Sequence, residues 1–263
     1  YLKVLNLDGE CVRQHRLSHS PSIGNSRQRI NAIAVTENYI YLGTGAYGRG
    51  CVGQEYGQIN IYTRTNLRFI KKLFHSTPHN QSNVWCDIGD MAANSDGTKL
   101  LVTSNSSNSV CLHSLTGENI SGCTKVGNRP NSRPNWNYDR SWSRSWSCGT
   151  WPSAQNGWFY NPWGADFDSS DNIYVTDGPC HRIQKFNSSG SYLSKFGSVN
   201  YSGGAFYHPR GIHVSSTGKI YVADTGNHVV RELSDSSNTL SVSSTIVSKP
   251  ITRMEIARKV IKR

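Results

Sequence analysis

The feature that most constrains this chain is a repeated unit in its second half. Residues 161–177 and 208–224 align without gaps, and the likeness continues into the turn that follows. Short runs of Ile, Tyr and Val alternate with polar turns in each copy, which is typical of antiparallel strands. A small sheet cannot cover its own two faces, so repeated sheets must stack on one another. Three pairs of identical residues lie 47 positions apart: Ile173 and Ile220, Asp177 and Asp224, and His181 and His228.

The residues of this unit resemble the NHL repeat. The run His208-Pro-Arg-Gly-Ile-His-Val214 matches the Pro-x-Gly-Ile-x-Val pattern, and Gly218-Lys-Ile-Tyr-Val-Ala-Asp224 followed by Gly226-Asn-His228 matches the motifs after it. Members of this family fold as β-propellers, mostly with six blades, so the resemblance implies that fold. Two more divergent units lie upstream, where Thr44 and Ser104 replace the aspartate that ends the second strand.

We therefore predict an all-β fold, a β-propeller of four-stranded blades, over residues 1–248. About four and a half blades are visible, because residues 2–14 look like the last two strands of a further unit. The second strands are apolar throughout, as in Ile173-Tyr-Val175, which is typical of strands that are covered on both faces. Blades stacked around an axis provide that cover.

The tail, residues 249–263, breaks with this pattern and predicts a basic amphipathic α-helix. Thr252 and Glu255 form a capping box, and apolar residues recur at helical spacing after it. This helix would cap the propeller or contact a neighbouring molecule. The run Ile251-Thr-Arg-Met-Glu255 also resembles the I-T-R-A-E motif of S-layer homology domains, which implies anchoring to a cell-wall polysaccharide.

The formal net charge of +11 is unevenly placed, since six basic residues and one acidic residue fall in the tail. The remaining body is mildly basic and does not demand a polyanionic partner. No run approaches the roughly 18 apolar residues of a membrane-spanning helix. The chain does not begin with Met, so we expect a mature or excised piece of a longer product.

The seven cysteines include no C-x-x-C pair, which disfavours a zinc knuckle and favours disulfides. Cys111 and Cys123 flank the turn at residues 115–118 symmetrically and should face each other across a hairpin, close enough to form a disulfide. Glycosylation sequons support an oxidising setting, so we expect an extracellular or cell-surface glycoprotein. The candidate glycosylation sites are Asn80, Asn105, Asn119, Asn187 and Asn200.

An insertion at residues 126–160 lengthens the spacing between the second and third complete units. It holds five of the seven tryptophans, and aromatic residues and arginines alternate with polar residues over 136–148. In an extended strand that period places them on one face. The segment is either a lid that buries its own aromatics or a binding surface, since Trp, Tyr and Arg dominate hot spots. The candidate binding residues are Trp136, Tyr138, Arg140, Trp142, Arg144, Trp146, Trp151 and Trp158.

A second candidate site lies on the innermost strands. Alignment places Ala34, Ala92, Asp166 and His213 at one equivalent position, so Asp166 and His213 should meet between adjacent blades. They would form an inter-blade ion pair or part of a metal site for calcium or zinc, as in related lyases and lactone-hydrolysing propellers. A metal centre needs three or more protein ligands, and two of the four positions are alanine.

Together these features predict a secreted or cell-surface binding and assembly module. Its contacts would run through the aromatic insertion and the tail, to a protein or a cell-surface glycan, with self-assembly or membership of a larger chain left open. Cofactors are not expected, and an enzyme is disfavoured. One alternative is a metal-dependent lyase or lactonase-like hydrolase with a site in the central channel. Another is an RNA-binding propeller, which the disulfides and sequons disfavour.

Overall fold

The computed structural model describes residues 2–6, 8–15, 29–45, 57–74, 88–105, 108–127, 155–197 and 206–247. Over these ranges the chain folds into eighteen β-strands and two short 3-10 turns, at Gly178–Cys180 and Thr225–Asn227. No helix in this part of the chain is long and apolar enough to cross a bilayer. The predicted all-β class is confirmed, while the helix predicted for residues 249–263 lies outside the described residues.

The strands form four four-stranded antiparallel sheets and one two-stranded sheet, which confirms the prediction of about four and a half blades. Each sheet is a meander in chain order. The two-stranded sheet contains β1 (Leu2–Leu5) and β2 (Cys11–His15). Blade 1 contains β3 (Arg29–Val35), β4 (Tyr39–Gly45), β5 (Gln58–Thr63) and β6 (Phe69–Phe74); blade 2 contains β7 (Ile88–Ala93), β8 (Lys99–Ser104), β9 (Ser109–Thr116) and β10 (Asn119–Lys125). Blade 3 contains β11 (Pro162–Phe167), β12 (Ile173–Asp177), β13 (Arg182–Phe186) and β14 (Tyr192–Gly197); blade 4 contains β15 (Pro209–Val214), β16 (Ile220–Asp224), β17 (Val229–Ser236) and β18 (Thr239–Val247).

Polar side chains close the turns between consecutive strands. The Asp168 carboxylate accepts hydrogen bonds from the backbone N–H groups of Ser170 and Asn172 between β11 and β12. The Asn187 side chain does the same for the turn between β13 and β14, where Gly190 has a φ of +86°. Such side chains satisfy turn amides locally and leave the strands free to pair. Short turns of this kind keep neighbouring strands antiparallel.

The blades stack through their faces, with the first strand of each blade innermost. β3 packs against β7, β7 against β11, and β11 against β15. A separate apolar cluster fills each of the three junctions. Tyr41, Val175 and Val222, all at most about 1% exposed on second strands, belong to these three clusters in turn. Radial stacking of blades therefore buries the apolar second strands, as the sequence predicted.

The outward face of blade 1 shows what a covering blade does. Val214 lies opposite Ile220 in blade 4, and Val35 lies opposite Ile40 at the equivalent place in blade 1. Blade 3 covers Val214, which is 7% exposed, whereas Val35 is 46% exposed. Within the described residues the extensive blade contacts run from blade 1 through blade 4 and do not link blade 4 back to blade 1. The inner strand of blade 1 therefore keeps an open apolar face.

Candidate functional site between blades 3 and 4

Two buried aspartates fasten the chain just before the innermost strands of blades 3 and 4. Asp177 accepts hydrogen bonds from the Tyr160 N–H at 3.0 Å and from Arg182 Nε and Nη2 at 3.1 and 2.9 Å. Asp224 repeats the arrangement, accepting from the Tyr207 N–H at 2.7 Å and from Arg231 Nε at 2.6 Å. These aspartates therefore set where each inner strand begins.

The Asp177–Arg182 ion pair is almost fully enclosed, with side chains 0% and 3% exposed. Burial raises the pKa of Asp177 to about 6, and the Arg182 charge opposes that rise. At neutral pH the carboxylate is ionised and held by two guanidinium hydrogen bonds and one amide. Removing either partner would leave a buried charge without compensation.

The repeat histidines end the 3-10 turns in the left-handed conformation, with φ of +53° at His181 and +57° at His228. His181 is buried, and its Nδ1 accepts a hydrogen bond from the His208 N–H at 3.0 Å. Its ring stacks on Tyr207, with centroids 5.2 Å apart and planes 9° apart. The same position is exposed in blade 4 at His228. His181 therefore ties the β12–β13 turn of blade 3 to the start of β15 in blade 4.

A tryptophan and an arginine meet where the inner strands of blades 3 and 4 begin. The guanidinium carbon of Arg210 lies 4.3 Å from the centroid of the Trp163 ring. Both residues sit in β-bulges, because the register shifts between Pro162 and Ala165 and again between Pro209 and Ile212. Bulges of this kind re-aim side chains at sheet rims. The pair forms a favourable cation–π contact at the junction.

Close backbone packing holds this pair in place. Thr176 Oγ1 accepts a hydrogen bond from the Gly164 N–H at 2.8 Å and donates one to the Arg210 carbonyl at 2.5 Å. A Cβ on Gly164 would lie 2.3 Å from that carbonyl, and one on Gly178 would lie 2.9 Å from the Trp163 ring. Larger residues at either glycine would push the blades or the ring apart. The junction therefore depends on glycine at both places.

We call Trp163, His181, Tyr207, His208 and Arg210 the junction cluster. Tyr207, His208 and Arg210 are exposed, and Trp163 is half-buried. Burial is the main cause that lowers the pKa of both His181 and His208, and the Arg210 charge lowers that of His208 further. Both shifts favour the neutral imidazole. Arg210 carries the positive charge of the cluster.

The described end of the insertion, residues 155–160, is anchored beside this cluster. Arg182 donates to the carbonyls of Gln155 and Trp158 at 3.2 and 2.6 Å, and Gln184 Nε2 donates to the Trp158 carbonyl at 2.7 Å. Phe159 is 1% exposed in the cluster between blades 2 and 3. Trp158 is half-buried. The other candidate binding residues, Trp136, Tyr138, Arg140, Trp142, Arg144, Trp146 and Trp151, lie outside the described residues.

The structure brings Asp166 and His213 together as the alignment predicted. His213 Nδ1 lies 3.0 Å from Asp166 Oδ2, and the same oxygen accepts a hydrogen bond from the Val214 N–H at 2.8 Å. Ala34 and Ala92 occupy the equivalent register positions in blades 1 and 2. The His213 side chain is 70% exposed. The pair is an inter-blade contact that offers a metal ion two potential ligands, one carboxylate and one imidazole.

Asp90, on the inner strand of blade 2, lies next to Asp166, on the inner strand of blade 3. Its carboxylate accepts hydrogen bonds from the N–H groups of Met91 at 2.9 Å and Ala165 at 3.3 Å, the second across the blade junction. Burial is the largest cause that raises the pKa of Asp90 to about 6, and the Asp166 charge adds to it. Within the described residues, a His and Cys group at Cys111, His113 and Cys123 also lies close together, but its two cysteines are joined to each other in a disulfide and are not metal ligands.

The predicted disulfide between Cys111 and Cys123 is present, with Cα atoms 5.2 Å apart. The predicted register is wrong in detail. A bulge between Ser121 and Thr124 places Lys125, not Cys123, opposite Cys111. Gly122, with a φ of +64°, lies in that bulge. Cys180 is also disulfide-bonded, and Cys11 is a free, exposed thiol.

Three of the five sequon asparagines fall in the described residues, and their settings differ. Asn119 is exposed, and its Oδ1 accepts a hydrogen bond from Lys71 Nζ at 2.6 Å. Asn187 closes the β13–β14 turn described above. Asn105 is only 6% exposed, which disfavours attachment of a glycan to the folded chain. Asn80 and Asn200 lie outside the described residues.

Sequence reasoning missed the Trp163–Arg210 pair, although the repeat contained a signal for it. The two residues occupy the same position of the repeat, between Pro and Gly, and lie 47 positions apart. Equivalent positions on adjacent inner strands are neighbours in a propeller. Trp163 and Arg210 are therefore neighbours for the same reason as Asp166 and His213, since both pairs are 47 positions apart in the repeat.

Comparison with known proteins supports the fold. The family model described as the NHL repeat matches residues 159–186 and 206–232. No curated protein matches the chain. The solved structures that resemble it include eight at 9–15% identity, and the chain spans 53–68% of their length.

Three of these structures illustrate the range. The β-propeller domain of Cps50 (Swd1) from Myceliophteria thermophila gives a TM-score of 0.55 at 9% identity, over 95% of this chain and 66% of that one. A chain of a nidogen/laminin complex gives a TM-score of 0.53 at 12% identity, over 84% of this chain and 66% of that one. A catalytically inactive virginiamycin B lyase from Staphylococcus aureus, solved with quinupristin, gives a TM-score of 0.51 at 13% identity. The match covers 87% of this chain and 59% of that one. The repeats and the architecture agree: this chain is a β-propeller in which two of the blades match the NHL repeat.

Proposed function

We propose that this propeller is a binding module that recognises a protein or a glycan at a cell surface. The contact surface is the end of the propeller where blades 3 and 4 present the junction cluster and where the insertion 126–160 joins β11. The tail 249–263 is the second proposed contact. The observation that carries the proposal is the Trp163–Arg210 pair, held beside the anchored end of a Trp- and Arg-rich segment.

Composition of this surface supports binding. Trp, Tyr and Arg are the residues that most often dominate interaction energy, since they combine large apolar area with fixed polar groups. The disulfide between Cys111 and Cys123 is compatible with the proposed oxidising, extracellular setting. The nidogen/laminin structure shows that a similarly folded chain is found in a protein complex. The fold alone does not choose a ligand.

The test is binding of fluorescently labelled protein to cells of the source organism, measured by flow cytometry. We expect saturable binding that drops at least about tenfold when Trp163 and Arg210 are both changed to Ala, as loss of two hot-spot residues should cause. Trypsin treatment of the cells should abolish binding to a protein, and glycosidase treatment should abolish binding to a glycan. Absence of saturable binding by the folded wild-type protein would refute the proposal.

We do not propose the two alternative functions. For a metal-dependent lyase or lactonase, the described residues offer Asp166 and His213 at this place, whereas a catalytic metal needs three protein ligands. Stoichiometric zinc or calcium that is lost in Asp166→Ala would reverse that judgement. For RNA, steep salt dependence of binding to a single strand would be the supporting result.

A further inference from the structure

We propose that Arg210, held over Trp163, binds the carboxylate of an acidic saccharide. This inference rests on the proposed function and names the ligand chemistry of the junction cluster. Three properties of the cluster support it: a guanidinium held over an aromatic ring, a charge with no carboxylate partner among the described residues, and an adjacent aromatic surface.

The guanidinium is fixed before any ligand arrives. Its carbon lies over the Trp163 ring, 4.3 Å from the ring centroid, and the side chain is exposed, which leaves N–H groups for a planar, two-oxygen partner. Its backbone is held by the Thr176 hydrogen bond at 2.5 Å. Pre-organised groups lose less conformational entropy on binding than free side chains do. A carboxylate can therefore form two parallel hydrogen bonds to Arg210 at a low ordering cost.

Among the described residues, the charge of Arg210 has no carboxylate partner, unlike the charges of its neighbours. Arg182 and Arg231, in the same two blades, are paired with the buried carboxylates of Asp177 and Asp224. Among the described residues, no carboxylate lies within ion-pair distance of Arg210, which is exposed. The repeat thus uses two arginines to build its loops and leaves a third facing solvent. An anionic ligand is the missing partner.

The aromatic neighbours favour a saccharide as the carrier of that anion. Tyr207 is 38% exposed and rests against His181, and the His208 ring meets Tyr207 at 4.8 Å. A pyranose ring has an apolar C–H face that packs on such rings, and a uronic acid adds a carboxylate at its edge. One fixed cation beside a small aromatic surface matches this ligand better than a polynucleotide, whose binding draws on several phosphate contacts.

The test is isothermal titration calorimetry of the whole chain with a hyaluronan hexasaccharide and with a neutral dextran hexasaccharide. We expect the acidic sugar to bind, the neutral one to bind at least tenfold more weakly, and Arg210→Ala to lose at least tenfold in affinity for the acidic one. Arg210→Lys should recover only part of the loss, because Lys provides charge without the planar fork. Arg68→Ala, which removes an exposed arginine of blade 1, is the control for net charge and should bind as wild type.

Near-ultraviolet circular dichroism and the melting temperature confirm that each variant is folded. Equal affinity of wild type and Arg210→Ala, or of acidic and neutral sugars, would overturn the inference. So would binding of hexaglutamate in place of the sugar, because it assigns the cluster to an acidic protein partner. Failure of hyaluronan binding with intact cell-surface binding overturns this inference alone, whereas loss of cell-surface binding overturns the proposed function.

Discussion

All four blades share one architecture, but blades 3 and 4 anchor the end of the second strand differently from blades 1 and 2. In blades 3 and 4, Asp177 and Asp224 lock the chain before the inner strand and bind an arginine of the third strand. In blade 1 the equivalent Thr44 hydroxyl bonds the backbone of Gln58 in the adjacent strand. Blade 2 has Ser104 at this place and a disulfide between its two outer strands. The apolar core is common to all four blades, so the repeat signature marks loop anchoring and not core packing.

The largest expected change in the free energy of unfolding comes from removing the anchor of blade 3, compared with the equivalent residue of blade 2. Changing Asp177 to Ala leaves Arg182 buried without its counter-charge, and we expect the free energy of unfolding to fall by about 3–5 kcal/mol. Ser104→Ala, at the equivalent position of blade 2, should cost about 1 kcal/mol, as for one neutral hydrogen bond. Urea denaturation measures both, and Asp177→Asn, which keeps one acceptor, should fall between them. Equal losses for the two alanine variants would contradict the comparison.

The disulfide of blade 2 should be the next largest contribution. Cys111 and Cys123 close a loop with a sequence separation of 12, for which unfolded-chain entropy gives about 3 kcal/mol. We expect the double variant Cys111→Ser, Cys123→Ser to lose roughly that amount. The measurement is urea denaturation without reductant, with Cys11→Ser as the control because Cys11 is an exposed free thiol. A double variant as stable as the control would show that blade 2 does not need the cross-link.

Cover by a neighbouring blade can be tested at equivalent valines. Val214→Ala removes apolar atoms from the packed junction of blades 3 and 4 and should cost about 2 kcal/mol. Val35→Ala, at the same place on the open face of blade 1, should change stability by less than about 0.5 kcal/mol. The two melting temperatures make the comparison. A large loss at Val35 would mean that the open face is covered in solution.

The smallest effect concerns pH and the inner strands. The pKa of Asp90 is about 6 in the folded protein and 3.8 as the ordinary value. Because the folded state holds this proton more tightly, the stabilisation is complete below pH 4 and is lost as the pH rises through 6. Protonation of Asp90 therefore raises the free energy of unfolding by about 1.4 kcal/mol at pH 5 relative to pH 7. Asp90→Asn should remove that difference, and thermal melts at both pH values check it against wild type, which retains Asp177. If Asp90→Asn responded to pH as the wild type does, the raised pKa of Asp90 would be refuted.

Much of the fold could be predicted from the repeat because strand alternation and turn residues are local properties. The second strand of blade 3 was predicted to contain Ile173-Tyr-Val175 and is observed as Ile173–Asp177. The disulfide pair was also predicted, since a hairpin fixes which residues come near each other. Its register was not, because the bulge at Gly122 and Cys123 follows from packing and leaves no simple pattern in the chain.

The candidate site was predictable only in part. Asp166 and His213 could be placed together because equivalent positions on adjacent inner strands are neighbours. The Trp163–Arg210 pair follows the same rule, but its stacking depends on how closely the blades approach. Thr176, Gly164 and Gly178 set that distance through contacts between residues that are far apart in the chain.

The sequence by itself determined the class of fold, the four-stranded unit and its order along the chain. These depend on local alternation, on turn chemistry and on a repeat that buries its faces only by stacking. The tertiary structure alone decided which equivalent residues are buried and which are open, as at Val214 and Val35. It also decided that one arginine of the repeat faces solvent while two are neutralised. The physical reason is that burial and charge compensation depend on what the next blade places opposite each side chain.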